Sequence, residues 1–160
     1  MKKITAIAAA LLLTIAAFAQ DGRSMYNRYS DEEGVSAVYI SPAMFRLMGK
    51  LPDMNVSGSD VNVGSIVSAL KGMYVLSSRN AKVNSALRSD AERFISKGSY
   101  ELLMEMKDNG ETVRMYTLGN EKTVTGFSLL AIEADEVTFI NLDGQMPREA
   151  LEKIIADSVK

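Results

Sequence analysis

Apolar and polar residues in the second half of the chain follow a period close to two, which predicts β-strands. Four such stretches lie at residues 100–107, 111–118, 123–133 and 137–142. The segments between them are short and carry turn-forming residues: Asn109-Gly110, Gly119-Asn120 and Ala134-Asp135-Glu136. The pattern therefore predicts a four-strand antiparallel meander.

The first hairpin of this meander has a predicted register, because Asn-Gly is a strong signal for a two-residue turn. Counting outward from the turn places apolar pairs on one face and an opposite-charge pair on the other: Met104 with Met115, Met106 with Val113, and Glu105 with Arg114. The later segment FSLLAI (residues 127–132) is apolar at successive positions. It predicts a strand that is central or covered on both sides.

The clearest predicted helix spans residues 80–97 and stops at Gly98. Its apolar stripe has helical spacing and consists of Val83, Leu87, Ala91, Phe94 and Ile95. Shorter helices are predicted at residues 25–33, after Ser41-Pro42, at residues 65–70 and from Pro147, with Asp143-Gly144 ending the last strand. Additional strands are predicted at residues 35–40 and 73–76.

Together these elements predict one α+β domain over residues 20–160. Its antiparallel sheet combines the C-terminal meander with one or two N-terminal strands, and helices pack mainly on one face. A longer segment at residues 51–64 is rich in Gly, Pro, Ser, Asn and Asp, and predicts a loop.

Residues 1–19 have the organisation of a cleavable signal peptide. Lys2 and Lys3 precede an apolar run from Ile4 to Phe18, and Ala17-Phe18-Ala19 is a small-x-small cleavage site. The 15-residue run is shorter than the roughly 20 residues of a membrane-spanning helix. We expect cleavage near Ala19-Gln20 and a periplasmic or secreted protein, the alternative being an uncleaved anchor. No lipid anchor is expected, because no cysteine follows the run.

Composition excludes several classes of function. The net charge of the 160-residue chain is −2, and the predicted signal peptide contains two of its lysines, so nucleic-acid binding is not expected. The chain has no histidine and no cysteine, which excludes Ser–His and Cys–His catalytic pairs and the usual zinc sites. We therefore expect no cofactor, no metal and no catalytic residues.

Short motifs do not change this view. Ser68-Ala69-Leu70-Lys71 matches S-x-x-K but lacks the companion elements of serine acylases, and the loop from Asp60 lacks the twelfth-position glutamate of a calcium site. Ten methionines are the unusual count. Core packing is the favoured interpretation of Met44, Met48, Met104, Met106 and Met115, and an adaptable binding surface is the alternative.

Several segments, together with the signal peptide, resemble a family of small exported bacterial proteins called domain of unknown function 4252. They are Tyr29-Ser30, Glu33-Gly34-Val35, residues 38–45 and residues 70–76. The resemblance covers most of the chain and implies an exported protein of this fold. The family has no assigned activity, so the resemblance supplies no catalytic residues. Some similar proteins carry a lipoprotein cysteine that this chain lacks, so membrane tethering is not carried over.

The leading hypothesis is a non-enzymatic module that binds an envelope protein. Its candidate surface is the predicted loop with the helix before it, at Met44, Phe45, Met48, Met54, Asn55 and Asp60. One alternative is a carrier of a small apolar ligand, with a cavity lined by Met, Leu and Phe. A third is a carboxylate hydrolase using Glu133 or Asp135.

Overall fold

The computed structural model describes residues 21–50 and 63–158. The helices in these ranges are α1 (Gly22–Tyr29), α2 (Pro42–Met48), α3 (Val63–Ser68), α4 (Ala81–Lys97) and α5 (Arg148–Ser158). The strands are β1 (Val35–Ile40), β2 (Leu70–Ser78), β3 (Glu101–Asp108), β4 (Glu111–Gly119), β5 (Thr123–Ile132) and β6 (Val137–Pro147). No helix within these ranges is long and apolar enough to cross a membrane.

The six strands form one antiparallel sheet in the order β1-β2-β6-β5-β4-β3. The four C-terminal strands are consecutive neighbours, so the predicted meander is confirmed. The two N-terminal strands extend the sheet on the β6 side, which leaves β1 and β3 at its edges. The predicted α+β class, with helices packed against an antiparallel sheet, is confirmed.

Helices α1 and α4 cover one face of the sheet, called here the covered face. Its centre is formed by Leu76, Phe139 and Leu130, which the strand register places side by side and which are fully buried. The predicted stripe of α4 packs on them, and the rings of Phe94 and Phe139 meet edge-on with centroids 5.5 Å apart. Burial of these side chains is the main stabilising term of the fold.

A buried carboxylate fixes α1 against α4. The Tyr29 hydroxyl donates a hydrogen bond of 2.6 Å to Asp90, and Arg28 and Arg93 form ion pairs with the same carboxylate at 2.8 and 3.2 Å. Burial, and then the bond to Asp90, raises the pKa of Tyr29 to about 12. The hydroxyl therefore keeps its proton at neutral pH and remains a donor to the carboxylate.

The three short helices, α2, α3 and α5, belong to a second hydrophobic cluster at one end of the opposite face. From the sheet, Ile40, Met73 and Leu142 contact this cluster, and the register places them in one row. The buried side chains of the cluster are Phe45, Ile66, Leu70, Val124, Met146 and Ala150. Only this end of the opposite face is packed against described helices.

Several predicted boundaries are wrong. The last strand does not end at Asp143-Gly144: it continues to Pro147, because Gly144 adopts φ +156° and the pairing of β6 with its neighbours shifts register there. Pro147 pairs with Thr123 and the final helix begins at Arg148. The segment predicted as a loop already becomes helical at Val63.

Candidate interaction surface

The β3–β4 hairpin has the predicted register. Asn109 and Gly110 have φ of 47° and 88°, the left-handed conformations that a tight hairpin turn requires. The three predicted pairs are all formed: Met104 with Met115, Met106 with Val113, and Glu105 with Arg114. One face of the hairpin is therefore apolar and the other charged.

The charged face of this hairpin lies on the covered side of the sheet. Arg114 pairs with Leu130, a residue of the covered face, and its guanidinium lies 3.8 Å from the Glu92 carboxylate of α4. It also donates to Glu105 at 2.6 Å. Bonds from Arg114 and then Lys107 lower the pKa of the Glu105 carboxyl, so the pair stays ionised at neutral pH. The apolar face of the hairpin thus points away from α4.

That apolar face continues across the whole sheet. The register aligns one side chain from each of the six strands in a single row, and all six are apolar. The row consists of Val38, Val75, Ile140, Leu129, Met115 and Met104. None of them belongs to either hydrophobic cluster of the described residues.

A second row lies beside the first. It consists of Ser36, Ser77, Thr138, Ala131, Val113 and Met106. The two rows, called here the open face, contain no charged residue. At its edges Val38 is 49% exposed and Met106 is 54% exposed, and its central residues remain partly exposed. Among the described residues, no helix packs on these rows.

Charges occur at the end of the open face and not within it. The Ser77 hydroxyl and Arg79 both donate hydrogen bonds to Glu136, the Arg79 bond at 2.8 Å. These bonds lower the pKa of the Glu136 carboxyl. The carboxylate is consequently held in an ion pair at the β5–β6 turn, which leaves the apolar rows beside it uninterrupted.

The residues predicted as an interaction surface are divided by the structure. Met44 is 47% exposed, whereas Phe45 is 4% exposed and Met48 packs partly buried against the second cluster. Met54, Asn55 and Asp60 lie outside the described residues. The core interpretation of the methionines is wrong for Met44 and Met106, because both are about half exposed.

A buried polar network lies on the covered face near the start of α1. The Asn141 amide is fully buried and donates to the Ser128 hydroxyl at 2.9 Å and to the Tyr100 hydroxyl at 3.0 Å. Gly22 packs directly on this amide, where a Cβ atom would collide with Asn141 Oδ1. Burial raises the pKa of Tyr100. The network joins α1, β5, β6 and the residue that precedes β3.

Two clefts formed by the described residues can be compared with the alternative hypotheses. One of about 550 Å³ is lined by Glu101, Gly119, Asn120, Glu121 and Arg148. Another of about 320 Å³ includes Asn84, Arg88 and Glu133. Neither is the predicted cavity lined by Met, Leu and Phe. Asp135 receives a hydrogen bond from Asn84 through its backbone carbonyl, and no cluster of three metal-ligating side chains occurs among the described residues.

Comparison with known proteins identifies the family. The family model for the domain of unknown function DUF4252 matches residues 29–154. The chain therefore belongs to the DUF4252 family. The matched segment contains all six strands, and with them the whole open face of this DUF4252 protein. No curated protein and no solved structure matches the chain.

Sequence reasoning missed the open face as a site, although one signal for it was present. The segment at residues 127–132 is apolar on both faces, and Leu129 and Leu130 fall on opposite sides of the sheet. Among the described residues, helices pack over Leu130 on one side of β5, and none packs on Leu129 on the other side. The apolar character of both sides of this strand was therefore the sequence signal for an apolar surface that no described helix covers.

Proposed function

We propose that this DUF4252 protein is a non-enzymatic interaction module whose open face docks on an apolar surface of a partner protein. The observation that carries the proposal is the orientation of the β3–β4 hairpin. Its charged side faces the helix side of the sheet, and its apolar side, with Met104 and Met115, faces away from α4. A hairpin that only had to complete the fold would have the reverse orientation.

The dimensions of the open face suit a protein partner. With strands about 4.8 Å apart, a row across the sheet is ~24 Å wide, and neighbouring rows are ~7 Å apart. This is enough width for a helix or a second sheet layer, which pack about 10 Å from a sheet. The absence of Lys and Arg from both rows disfavours anionic lipid as the occupant, because such a surface attracts basic residues.

The predicted signal peptide supports a partner outside the cytoplasm. Residues 1–19 have the sequence features of an export signal, and a chain without cysteine needs no disulfide to fold in an oxidising compartment. We therefore propose a periplasmic or secreted location and an envelope protein as the partner.

Photo-crosslinking in intact cells tests the proposed function. A photoreactive residue would replace Met106, which points from the open face, or Lys107, its exposed neighbour on the opposite side of β3. Met106 should give a discrete adduct with one other protein, and Lys107 should not. The two positions are adjacent in sequence, so they control for expression, exposure and location in the cell.

A double substitution provides the second half of this test. Met104→Gln with Met115→Gln keeps side-chain length while making the open face polar, and should abolish the Met106 adduct without unfolding the protein. Thr112→Gln, on the covered side of β4, is the matched control and should leave the adduct unchanged. Equal adducts from Met106 and Lys107, or an adduct that persists in the folded double variant, would refute the proposal.

A further inference from the structure

The two edges of the sheet differ in how they are protected against pairing with another strand. At one edge, β3 carries Glu101, Glu105, Lys107 and Asp108, and its pairing with β4 is irregular between Leu102 and Met104. Charged residues and bulges are the usual devices that block addition of a further strand. At the other edge, β1 has the sequence VSAVYI, without charge, proline or glycine.

The hydrogen-bond pattern identifies which backbone groups of β1 face outward. The Arg79 N–H donates to the Gly34 carbonyl at 3.1 Å, and these residues pair just beyond the start of the β1–β2 ladder. Hydrogen-bonded pairs alternate with non-hydrogen-bonded pairs along antiparallel strands. The backbone N–H and C=O groups of Ser36 and Val38 therefore point to β2. Those of Ala37 and Tyr39 point to the free edge.

Within the described residues, these outward groups have no loop or turn partner. The Val35 N–H, which also points outward, donates to the Glu32 carbonyl at 3.2 Å, but no comparable bond uses the N–H of Ala37 or Tyr39. Val38 between them is 49% exposed. The strand therefore presents two donors and at least two acceptors to a further strand.

We propose that two copies of this chain pair through their β1 strands, antiparallel and about a two-fold axis at Val38. In this register, Ala37 of each copy lies opposite Tyr39 of the other, so the outward N–H and C=O groups form four hydrogen bonds. Val38 lies opposite Val38 of the second copy at a non-hydrogen-bonded position. The two-fold axis is perpendicular to the sheet, so each face meets the corresponding face of the other copy.

A second copy is the occupant that this strand fits best, because the edge is self-complementary. The same strand supplies matching donors and acceptors on both sides of the axis, and β1 has no charged residue that would meet its own counterpart across it. Pairing also joins two open faces into one twelve-strand surface. The dimer is inferred from the edge of the sheet alone. If the chain does not dimerise, the proposed function of the open face is unaffected.

Disulfide trapping tests the register in the chain purified from cells expressing its full sequence. The chain has no cysteine, so Val38→Cys introduces the only thiol. Residues opposite each other at a non-hydrogen-bonded position have Cα atoms about 4.5 Å apart, which a disulfide can bridge. Mild oxidation should convert most of Val38→Cys into a covalent dimer. Met106→Cys, equally exposed at the opposite edge, should remain mostly monomeric under the same conditions.

Sedimentation and native mass spectrometry test the same interface without a covalent bond. The unmodified protein should be a dimer, and Val38→Lys, which places two lysines opposite each other, should raise the dimer dissociation constant at least tenfold. Met106→Lys should leave it unchanged. A monomeric unmodified protein, equal effects of the two lysines, or equal disulfide yields from the two cysteines would overturn the proposal. A β1 edge that pairs with a different protein would give the first of these results.

Discussion

The two faces of the sheet can be compared strand by strand, because adjacent residues point to opposite sides. Across the covered face one row reads Ala37, Leu76, Phe139, Leu130, Arg114 and Glu105. Directly behind it, the open face reads Val38, Val75, Ile140, Leu129, Met115 and Met104. The covered row is apolar in its centre and charged toward the β3 edge, whereas the open row is apolar from edge to edge.

The difference shows which face of the sheet has no cover within the described chain. Apolar surface left in water forgoes about 25 cal/mol per Å² of burial, so a face meant for solvent normally becomes polar. The covered face becomes polar in this way at Arg114, near the β3 edge. The open face does not, which is the pattern expected of a surface that is buried in a complex.

The largest expected effect comes from two neighbouring leucines of β5. Leu130→Ala removes a fully buried side chain from the covered face and should lower the free energy of unfolding by about 2–5 kcal/mol. Leu129→Ala removes the same atoms from the open face, where the side chain is partly exposed, and should cost less than about 1.5 kcal/mol. Denaturant unfolding of the purified variants measures both values.

The same two variants also test whether the open face is uncovered in the isolated protein. Similar costs for Leu129→Ala and Leu130→Ala would mean that the open face is covered within the isolated protein. A small cost for Leu129→Ala combined with loss of the Met106 crosslink in cells would instead sharpen the assignment of this face to binding.

A smaller effect is expected from the contact that holds α1 on the covered side. Tyr29→Phe removes the hydrogen bond to the Asp90 side chain and should lower the free energy of unfolding by about 1.5–3 kcal/mol. Because the substitution lies on the covered side, it should leave crosslinking from Met106 intact in the folded variant.

The pH dependence of this contact has a defined sign. The pKa of Tyr29 is raised from 10.0 to about 12 in the folded protein, so folding favours the protonated hydroxyl. Its contribution is fully present below pH 10 and is lost as the pH rises through 10 to about 12. Thermal unfolding across this interval should show a steeper loss of stability for the unmodified protein than for Tyr29→Phe. Parallel curves would contradict the role given to Tyr29.

Much of the fold could be predicted from local sequence signals. The register of the β3–β4 hairpin followed from Asn109-Gly110, and the buried stripe of α4 followed from its spacing. The continuation of β6 beyond Asp143 could not be predicted. Gly144 there permits an irregular strand instead of a turn, and the neighbouring strands decide between these outcomes.

The site could be predicted only in part, because a two-residue period does not say which side a helix will cover. The hairpin pattern separated Met104 and Met115 from Glu105 and Arg114, but the side facing α4 is decided by the assembled sheet. Likewise, the spacing of Met44, Phe45 and Met48 predicted one helical face, and packing buried only part of it. Three further predicted residues lie outside the described ranges.

If the open face is exposed in the isolated protein and covered in the cell, as proposed, methionine oxidation should differ between the two conditions. Met106 on the open face and Met44 outside it are about equally exposed, at 54% and 47%. In purified protein treated with peroxide, both should oxidise at similar rates, well ahead of the buried Met25 and Met146. In intact cells, we predict several-fold protection of Met106 relative to Met44. Equal oxidation rates of the two methionines in cells, or protection of Met44 alone, would contradict the proposal that the open face is covered there.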